Sequence, residues 1–374
     1  MTERPVFLDD PALRAVVAAL PGARLVGGCV RDALAGREIS DFDLATPMSP
    51  EAVIEALEAA GLRVIPTGLA HGTVTAMVGK ACFEVTTLRR DVQTDGRHAV
   101  VAFTDDWRED AARRDFTINA MSMTPEGEVF DYFGGREDLA AGVVRFVGDA
   151  ATRIGEDYLR ILRFFRFYAR FGRPPPDGSA MRAIGDGVSG LRRLSAERVW
   201  SETRRILAAP APDAALALMK ESGVLEVVLP GAVLRCVDAL PADAVLRLAA
   251  ILPEGPAPLN LSGEEAARLA ALQGKAPATG ATDAELRRVL ADTPPDIVLG
   301  RAWIAGQDAA ARARIAGMAV PVFPVQGRDL AAAGMAPGPE MGRVLKAMRG
   351  LWLESGCVAS RDDLMAQLAH RRAP

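Results

Sequence analysis

The sequence predicts an α/β head, built on a small mixed sheet with helices, followed by an all-α neck, body and tail. Up to about residue 150, short β-rich runs are mixed with helical segments. Beyond that point strand signals nearly vanish, and Ala-, Leu- and Arg-rich helical segments are separated by clusters of Pro and Gly. Such a change of pattern indicates separate structural units. We assign residues 1–148 to the head, 149–205 to the neck and 206–374 to the body and tail.

The elements of the head are bounded by glycine and proline. A strand over residues 23–26 ends at Gly27-Gly28, and Gly36 stops a short helix over 29–34. Ser49 is the expected N-cap of a helix that has Pro50 at its first position and that ends at Gly61. Further strands are predicted at residues 62–66, 73–78 and 82–88, and the polar stretch 89–106 is predicted to be a loop.

The neck begins with an amphipathic helix. Tyr158, Leu162, Phe165 and Ala169 form an apolar stripe at helical spacing, and three prolines at residues 174–176 break the chain after it. We expect the aromatic members of this stripe to be core residues, with base stacking as the alternative.

Charge is distributed unevenly along the chain of 374 residues, whose formal net charge is −4. Residues 151–205 contain twelve arginines and six acidic residues, a local charge of +6. An acidic protein with one basic segment indicates a local site for a polyanion. A solvated, Arg-rich helix face is the alternative explanation.

Cysteine usage and hydropathy favour a cytoplasmic protein. The four cysteines lie far apart without a CxxC pair, which disfavours a disulfide framework or a zinc site. The first apolar run, over residues 12–20, contains Arg14 and follows two aspartates, unlike a secretory signal. No run reaches the roughly 18 uncharged apolar residues of a spanning helix, so we expect no membrane contact.

The most informative segment combines a glycine turn, an arginine and a pair of carboxylates. Asp41 and Asp43 are two residues apart on a predicted strand, so both side chains point to one face, roughly 6–7 Å apart. Mg²⁺ prefers carboxylate and phosphate oxygens, and two such ions can activate a hydroxyl and stabilise a leaving pyrophosphate. Gly28 lets the backbone approach a triphosphate at a helix N-terminus, and Arg31 adds a fork of donors. Capping or solvated carboxylates are the alternative.

These motifs resemble those of the bacterial and eukaryotic class of CCA-adding tRNA nucleotidyltransferases and of the related bacterial poly(A) polymerases. The similarity covers residues 24 to about 205 closely and the C-terminal region more loosely. It implies a polymerase-β-like nucleotidyltransferase head. The matching segments are Leu25–Asp32 with Asp41–Thr46, the run Arg113–Ala120 (RRDFTINA), the EDxxR motif at Glu156–Arg160, the RxxxE motif at Arg198–Glu202, and a tail segment at Gly334–Gly342.

The resemblance also implies roles for the neck. In this family the EDxxR helix recognises the incoming base, which assigns that role to Asp157 and Arg160. An Asp accepts from an amino group and an Arg donates to ring nitrogens or carbonyls, which suits both C and A. An ordinary i,i+3 ion pair is the alternative. Arg163 and Arg166 extend the basic face towards nucleotide phosphate or tRNA backbone.

Further residues are assigned supporting roles, and for one of them two roles stay possible. Arg114 is assigned to nucleotide binding, and Asp115 and Asn119 to hydrogen bonds that orient the pocket. Glu84 is a candidate third catalytic carboxylate, with a solvent-facing strand acid as the alternative. Arg198 and Glu202, an i,i+4 pair, are expected to support the base-recognising helix.

We therefore expect stepwise addition of C, C and A from CTP and ATP to the acceptor stem of tRNA, with Mg²⁺ as cofactor. The run from Thr67 to Thr75 and the segment from Phe83 to Arg89 are similar to the tRNA enzymes, and we see no basic run typical of bacterial poly(A) polymerases. A poly(A) polymerase, an enzyme adding only CC or only A, and a catalytically silent RNA-binding protein remain alternatives. No obligatory protein partner is evident.

Overall fold

The computed structural model describes residues 5–39, 41–94, 99–252 and 255–372. These residues form two compact units. The first extends to Leu234 and includes Pro258–Asn260, and the second comprises Arg235–Ala257 and the chain from Leu261 onward. The predicted head and neck both fall in the first unit, and the boundaries after residues 148 and 205 stay predictions.

The first unit contains a mixed sheet, as predicted. Within the described residues seven strands pair in the order β3-β4-β5-β2-β1-β8-β9. Strands β2 and β5 are parallel, and all other neighbours in this sheet are antiparallel. The strands are β1 (Arg24–Val26), β2 (Phe42–Thr46), β3 (Arg63–Gly68), β4 (Thr73–Val78), β5 (Ala81–Thr87), β8 (Ser122–Met123) and β9 (Val129–Phe130).

The predicted loop at 89–106 was wrong over most of its length. β6 (Arg89–Thr94) and β7 (Ala99–Phe103) pair as an antiparallel hairpin, and residues 95–98 lie outside the described part of the chain. The run from Ala99 to Phe103 is rich in β-formers, but charged and polar residues before it hide the periodicity over the whole stretch.

Helices of the first unit surround the sheet and continue beyond it. The third of them illustrates the local signals: Ser49 Oγ accepts from the N–H of Ala52 at 3.3 Å, and Pro50 occupies the first turn. The helices are α1 (Pro11–Ala19), α2 (Gly28–Leu34), α3 (Pro50–Ala59), α4 (Trp107–Ala112), α5 (Gly135–Ala141), α6 (Ala150–Glu156), α7 (Leu159–Phe171), α8 (Gly178–Gly187), α9 (Ala196–Leu207), α10 (Asp213–Glu221) and α11 (Val224–Val228).

Strand alternation separates the core from the candidate site. On β2, Leu44 is fully buried in the core and Phe42 packs against it, so Asp43 between them faces the other side of the sheet. On β5, Phe83 and Val85 are buried in the same core, which turns Glu84 to the face of Asp43. One face therefore stabilises the head, and the other carries carboxylates.

Helix α7 is anchored by its apolar side. Leu162 and Phe165 are fully buried, as predicted for core residues. Phe164 packs on Phe146 with ring centroids 6.1 Å apart, and Phe146 packs on Phe116 at 4.8 Å. This aromatic contact ties the neck to the head and leaves the arginines of α7 on its opposite side.

The regular elements of the second unit are all helices within its described residues, in agreement with the prediction for the C-terminal half. Its helices are α12 (Ala244–Ile251), α13 (Gly263–Leu272), α14 (Asp283–Leu290), α15 (Pro295–Ile304), α16 (Ala309–Ala316), α17 (Gly327–Ala332), α18 (Pro339–Glu354) and α19 (Arg361–Arg372).

Candidate active site

Three carboxylates meet at the N-terminal end of β2. Asp41 directly precedes the strand, and Asp43 is its second residue. Glu84 is the register partner of Asp43 on the parallel strand β5. Burial raises the pKa of Asp43 above its ordinary value, and the charges of Glu84 and Asp41 raise it further, although Arg114 opposes them. The sheet thus brings together negative charges that repel one another.

This arrangement fits a hard divalent cation. Within the described residues no group of three or more His, Cys, Asp or Glu side chains is arranged to hold a metal ion. Mg²⁺, however, commonly takes one or two carboxylates and completes its shell with water and substrate phosphates. Asp41 and Asp43 supply that donor set, and a cation there would relieve the repulsion that raises the pKa of Asp43.

The glycine turn before α2 is shaped for close backbone approach. Gly27 has φ +69° and ψ −122°, a conformation that only glycine adopts without strain. A Cβ on Gly27 would lie 2.9 Å from Nη1 of Arg114, whereas a Cβ on Gly28 would lie 3.7 Å from Nη2 of Arg31. Gly27 therefore makes room for an arginine, and Gly28 opens the first turn of α2.

The guanidinium of Arg31 is bonded mainly to other side chains of the protein. Its side chain is buried, and its Nε and Nη2 donate to Asp32 at 3.0 and 2.9 Å. Nη1 donates to Oδ1 of Asn119 at 2.6 Å. The guanidinium also lies 4.7 Å from the ring centroid of Phe171. Its predicted contact with a triphosphate stays a prediction, and its contact with Asn119 was not foreseen.

Arg114 is held at the site by Asp110, a residue that the sequence analysis missed. Arg114 Nη2 donates to Asp110 Oδ2 at 3.2 Å, and Arg113 Nη2 donates to Oδ1 at 2.7 Å. Burial favours a raised pKa for Asp110, but the two guanidinium groups hold this pKa below its ordinary value. The spacing of Asp110 three and four residues before a pair of arginines was the available signal.

A buried chain of hydrogen bonds connects the glycine-turn helix to the neck. Asn119 accepts from Arg31 and, through Nδ2, donates to Asp115 Oδ1 at 3.0 Å. Asp115 Oδ2 accepts from Nε of Arg163 at 2.6 Å. Burial favours a raised pKa for Asp115, yet Arg163 and the hydrogen bonds lower it. The predicted orienting role of Asp115 and Asn119 rests on these contacts.

The EDxxR segment is not one continuous helix, contrary to the sequence expectation. Asp157 has extended backbone angles and lies between α6 and α7, and its Oδ1 accepts from the N–H of Leu159 at 3.0 Å. Leu159 is the first residue of α7, so this contact lies at the start of a new helix. Asp157 Oδ2 accepts from Nη2 of Arg198 at 2.7 Å, and Arg160 pairs with Glu156. The alternative of an Asp157–Arg160 ion pair was wrong.

Arg166 and Glu202 connect α7 to α9. Arg166 Nη1 donates to Glu202 Oε1 at 3.0 Å, while Oε2 of Glu202 is buried without a hydrogen-bond partner. Burial lowers the pKa of Arg166 to about 10, and the neighbouring charge of Arg163 contributes. Glu202 therefore reaches α7 and Arg198 reaches Asp157 just before it, and neither pairs with the other.

All but one of the predicted site residues line a single cavity. It has a volume of about 1560 Å³ and contains nine arginines and six carboxylates. The exception is Glu84, which is not among the described residues that line this cavity. The predicted members are Gly28, Arg31, Asp41, Asp43, Arg114, Asp157, Arg160, Arg163 and Arg166. The cavity also includes Arg37, Arg170, Arg198 and Arg205.

Among the helices of the described residues, none is both long and apolar enough to cross a membrane.

Two protein families match the first unit. The family described as the poly(A) polymerase head domain matches residues 23–145, and the one described as a probable RNA- and SrmB-binding site of polymerase A matches residues 177–234. Together with the fold and the carboxylate site, these matches define a nucleotidyltransferase.

Comparison with related proteins shows which kind of nucleotidyltransferase this chain resembles. CCA tRNA nucleotidyltransferase 1, mitochondrial, of Danio rerio is 35% identical over 92% of this chain and 86% of its own length. The protein of the same name in Homo sapiens is 36% identical with the same coverage. The crystal structure of the Bacillus stearothermophilus CCA-adding enzyme in complex with CTP is 26% identical, with a TM-score of 0.73 over 96% of this chain and 98% of that one. The chain belongs to the family of CCA tRNA nucleotidyltransferases.

Proposed function

We propose that this chain adds C, C and A, in that order, to the 3′ end of tRNA, using CTP and ATP. The observation that carries the proposal is the single cavity in which Asp41 and Asp43 share space with Asp157 and Arg160. A metal-binding end and a base-recognising end in one cavity suit template-free nucleotide addition. The names of the relatives support the same activity.

The charged groups of the cavity suit nucleotidyl transfer. The terminal hydroxyl of tRNA attacks the α-phosphate in line, and pyrophosphate leaves. Gly28 and Arg114 line the part of the cavity near Asp41 and Asp43, where a triphosphate meets both a glycine turn and a guanidinium. Arginines stabilise the charge that develops on the phosphate oxygens.

Mg²⁺ is the cofactor that this donor set fits best, with Asp41 and Asp43 as its ligands. When bound, Mg²⁺ would activate the attacking hydroxyl and stabilise the leaving pyrophosphate. Glu84 faces the same side of the sheet as Asp43 but does not line the described cavity. We therefore assign Glu84 an electrostatic effect on Asp43, which its influence on the pKa of Asp43 supports.

Base selection is assigned to Asp157 and Arg160. A carboxylate accepts from the exocyclic amine that C and A share, and a guanidinium donates to a neighbouring ring nitrogen or carbonyl. Asp157 Oδ2 accepts from Arg198 and Oδ1 accepts from the N–H of Leu159, so the carboxylate has a fixed direction. Arg163 and Arg166 add positive charge beside this position and favour phosphate or RNA backbone.

The test is incubation of the purified chain with tRNA that lacks CCA, together with CTP, ATP and Mg²⁺. We expect three added nucleotides, with CTP required first. Products far longer than three residues, or addition without CTP, would indicate a poly(A) polymerase. Addition that stops at CC, or that needs a CC-ended tRNA, would indicate a partial enzyme. Asp41→Ala is the matched inactive control, and unchanged incorporation by it would overturn the catalytic assignment.

We infer that the chain works in a reducing compartment, for which the cytoplasm is our expectation. The cysteines among the described residues are all free, and Cys29 is buried. Burial raises the pKa of the Cys29 thiol to about 11, so this cysteine is a core residue and not a reactive thiolate. Cell fractionation with an antibody to the chain tests the assignment.

A further inference from the structure

A second basic cavity lies beside the candidate active site, in the same unit. Its volume is about 540 Å³, and it is bordered by the end of α2, by α5 and by the last turn of α7. Four arginines line it, and no carboxylate does among its described lining residues. They are Arg37, Arg136, Arg170 and Arg173. The larger cavity, in contrast, offers charges of both signs.

The four arginines keep their charge available to a ligand. Within the described part of the chain none of them forms an ion pair with a carboxylate. Arg37 Nη2 donates instead to the carbonyl oxygen of Arg170 at 2.7 Å, and its guanidinium lies 4.5 Å from the ring centroid of Phe171. Burial lowers the pKa of Arg37, and the charge of Arg170 lowers it further, although Asp32 opposes them. Four arginines without an ion-pair partner among the described residues therefore leave this cavity with a positive charge.

Arg173, which lines this cavity, is held by the backbone just after α5. Gly142 has φ +73°, and its carbonyl oxygen accepts from the N–H of Arg173 at 2.8 Å. A Cβ on Gly142 would lie 2.6 Å from Cγ of Arg173, so the stem of this arginine packs where glycine leaves room. Arg136 and Arg173 are both exposed to solvent. Their guanidinium groups can meet a large ligand.

The two cavities share part of their lining. Arg37 and Arg170 belong to both, so these two arginines join the lining of the candidate active site to that of the second cavity. Arginines in succession recognise the repeated phosphates of a nucleic-acid strand. A free triphosphate would instead favour the larger cavity, which alone has Asp41 and Asp43 to hold its metal ion.

We propose that the second cavity binds a backbone phosphate of the RNA strand whose 3′ end enters the candidate active site. This inference rests on the proposed function, since it takes tRNA as the substrate. Arg136 and Arg173 contact that phosphate, and Arg37 and Arg170 guide the strand between the cavities. The contact positions the RNA without recognising its sequence.

The test compares two double variants of the full chain. Arg136→Gln with Arg173→Gln removes the two charges that belong to the second cavity alone, and leaves the lining of the first intact. Arg63→Gln with Arg192→Gln removes two exposed arginines that line neither cavity. The dissociation constant for tRNA lacking CCA is measured by filter binding between 50 and 200 mM salt. Over this range a protein with six or more phosphate contacts loses roughly 10³-fold or more in affinity, so the salt slope can be measured.

We expect the cavity variant to bind this tRNA about tenfold more weakly than the control variant, with a salt slope smaller by about one. The KM for CTP at saturating tRNA and the Tm should match the control. Equal tRNA affinity and equal salt slopes in the two variants overturn the proposal. A raised KM for CTP with unchanged tRNA binding also overturns it, because the cavity then takes nucleotide phosphates. Failure of the wild-type chain to extend tRNA would refute the proposed function. The binding comparison does not require catalysis, so the two proposals can fail separately.

Discussion

Asp115 and Arg163 form an ion pair that joins the sheet-bearing part of the first unit to helix α7. Asp115 Oδ2 accepts from Arg163 Nε at 2.6 Å, although 48 residues separate the two in sequence. Asp115 is buried, and its other oxygen accepts from Asn119 Nδ2 and from the N–H of Phe116. A charge buried this deeply is stable only while all its partners are in place.

Replacement of Asp115 should therefore destabilise the first unit strongly. Asp115→Asn keeps the volume but leaves Arg163 without its partner, and we expect a loss of about 3–5 kcal/mol in the free energy of unfolding. Urea denaturation at pH 7 measures the loss. Asp186→Asn, at an exposed position of α8, is the control and should change the stability by less than about 0.5 kcal/mol.

The same variant should show a pH dependence of defined sign. The pKa of Asp115 is lower in the folded chain than its ordinary value, so its charged form stabilises the fold at any pH above the unfolded pKa of about 3.9. The difference between wild type and Asp115→Asn should stay constant from neutral pH down to that value and shrink as the pH falls further. A difference that does not change with acidification would contradict the assignment.

Gly27→Ala should impair nucleotide binding more than stability alone explains. Alanine at φ +69° is strained by about 1–3 kcal/mol, and its Cβ would displace Arg114. We expect a raised KM for CTP and for ATP. Gly22→Ala is the matched control, since φ is +78° but nothing lies within 4 Å of the added Cβ. It should lose similar stability and keep the KM values, as measured by steady-state kinetics and thermal unfolding.

Asp43→Asn should abolish transfer without harming the fold. Loss of a metal ligand removes several kcal/mol of transition-state stabilisation, which corresponds to a fall in kcat of about 10³-fold or more. Because burial and neighbouring carboxylates raise the pKa of Asp43, its charged form destabilises the metal-free fold as the pH rises. The neutral variant should therefore have the higher Tm at pH 7 without Mg²⁺.

Addition of Mg²⁺ should reverse that order. At about 100 times its Kd, a ligand that binds only the folded chain stabilises it by about 2.7 kcal/mol. We expect Mg²⁺ to raise the Tm of the wild type and to leave that of Asp43→Asn nearly unchanged. An equal rise in both proteins would mean that Mg²⁺ binds elsewhere.

Arg198→Gln should weaken base selection. Arg198 donates to Asp157 at 2.7 Å, and a hydrogen bond to a charged group contributes about 1.5–3 kcal/mol. Discrimination between CTP and UTP, measured as the ratio of kcat/KM values, should fall by about 10- to 100-fold. Arg192→Gln, at an exposed position six residues earlier, should leave the ratio unchanged. Equal ratios in all three proteins would remove Arg198 from base selection.

Local signals predicted much of the first unit. The helix after Ser49 and the strand at Thr73–Val78 have the expected limits, because a proline, a cap and period-two alternation all agree there. The hairpin at Arg89–Phe103 was missed because its pairing joins residues on both sides of a polar stretch. Cross-strand pairing of that kind depends on tertiary context more than on local propensity.

Motifs predicted which residues meet in the cavity but not how they pair. The EDxxR spacing indicated one helix with Asp157 beside Arg160. In the folded chain Asp157 lies just before the following helix, accepts from the N–H of Leu159, and accepts from Arg198, a partner 41 residues away. The role of Arg37 could not be assigned, since it depends on a contact with a distant element and on the shape of a cavity. Asp110 was missed although its spacing before Arg113 and Arg114 gave a local signal.

The break at Asp157 has a consequence for how this protein can change during evolution. The carboxylate that we propose selects the base is held by α9 through Arg198, whereas the carboxylates that we propose bind the metal ion are positioned by the sheet. Substitutions that tilt α9 can alter nucleotide preference and leave the transfer chemistry untouched. On this proposal, nucleotide preference depends on a pair of helices that can change separately from the sheet. A chimera with a relative would have to exchange α7 and α9 together.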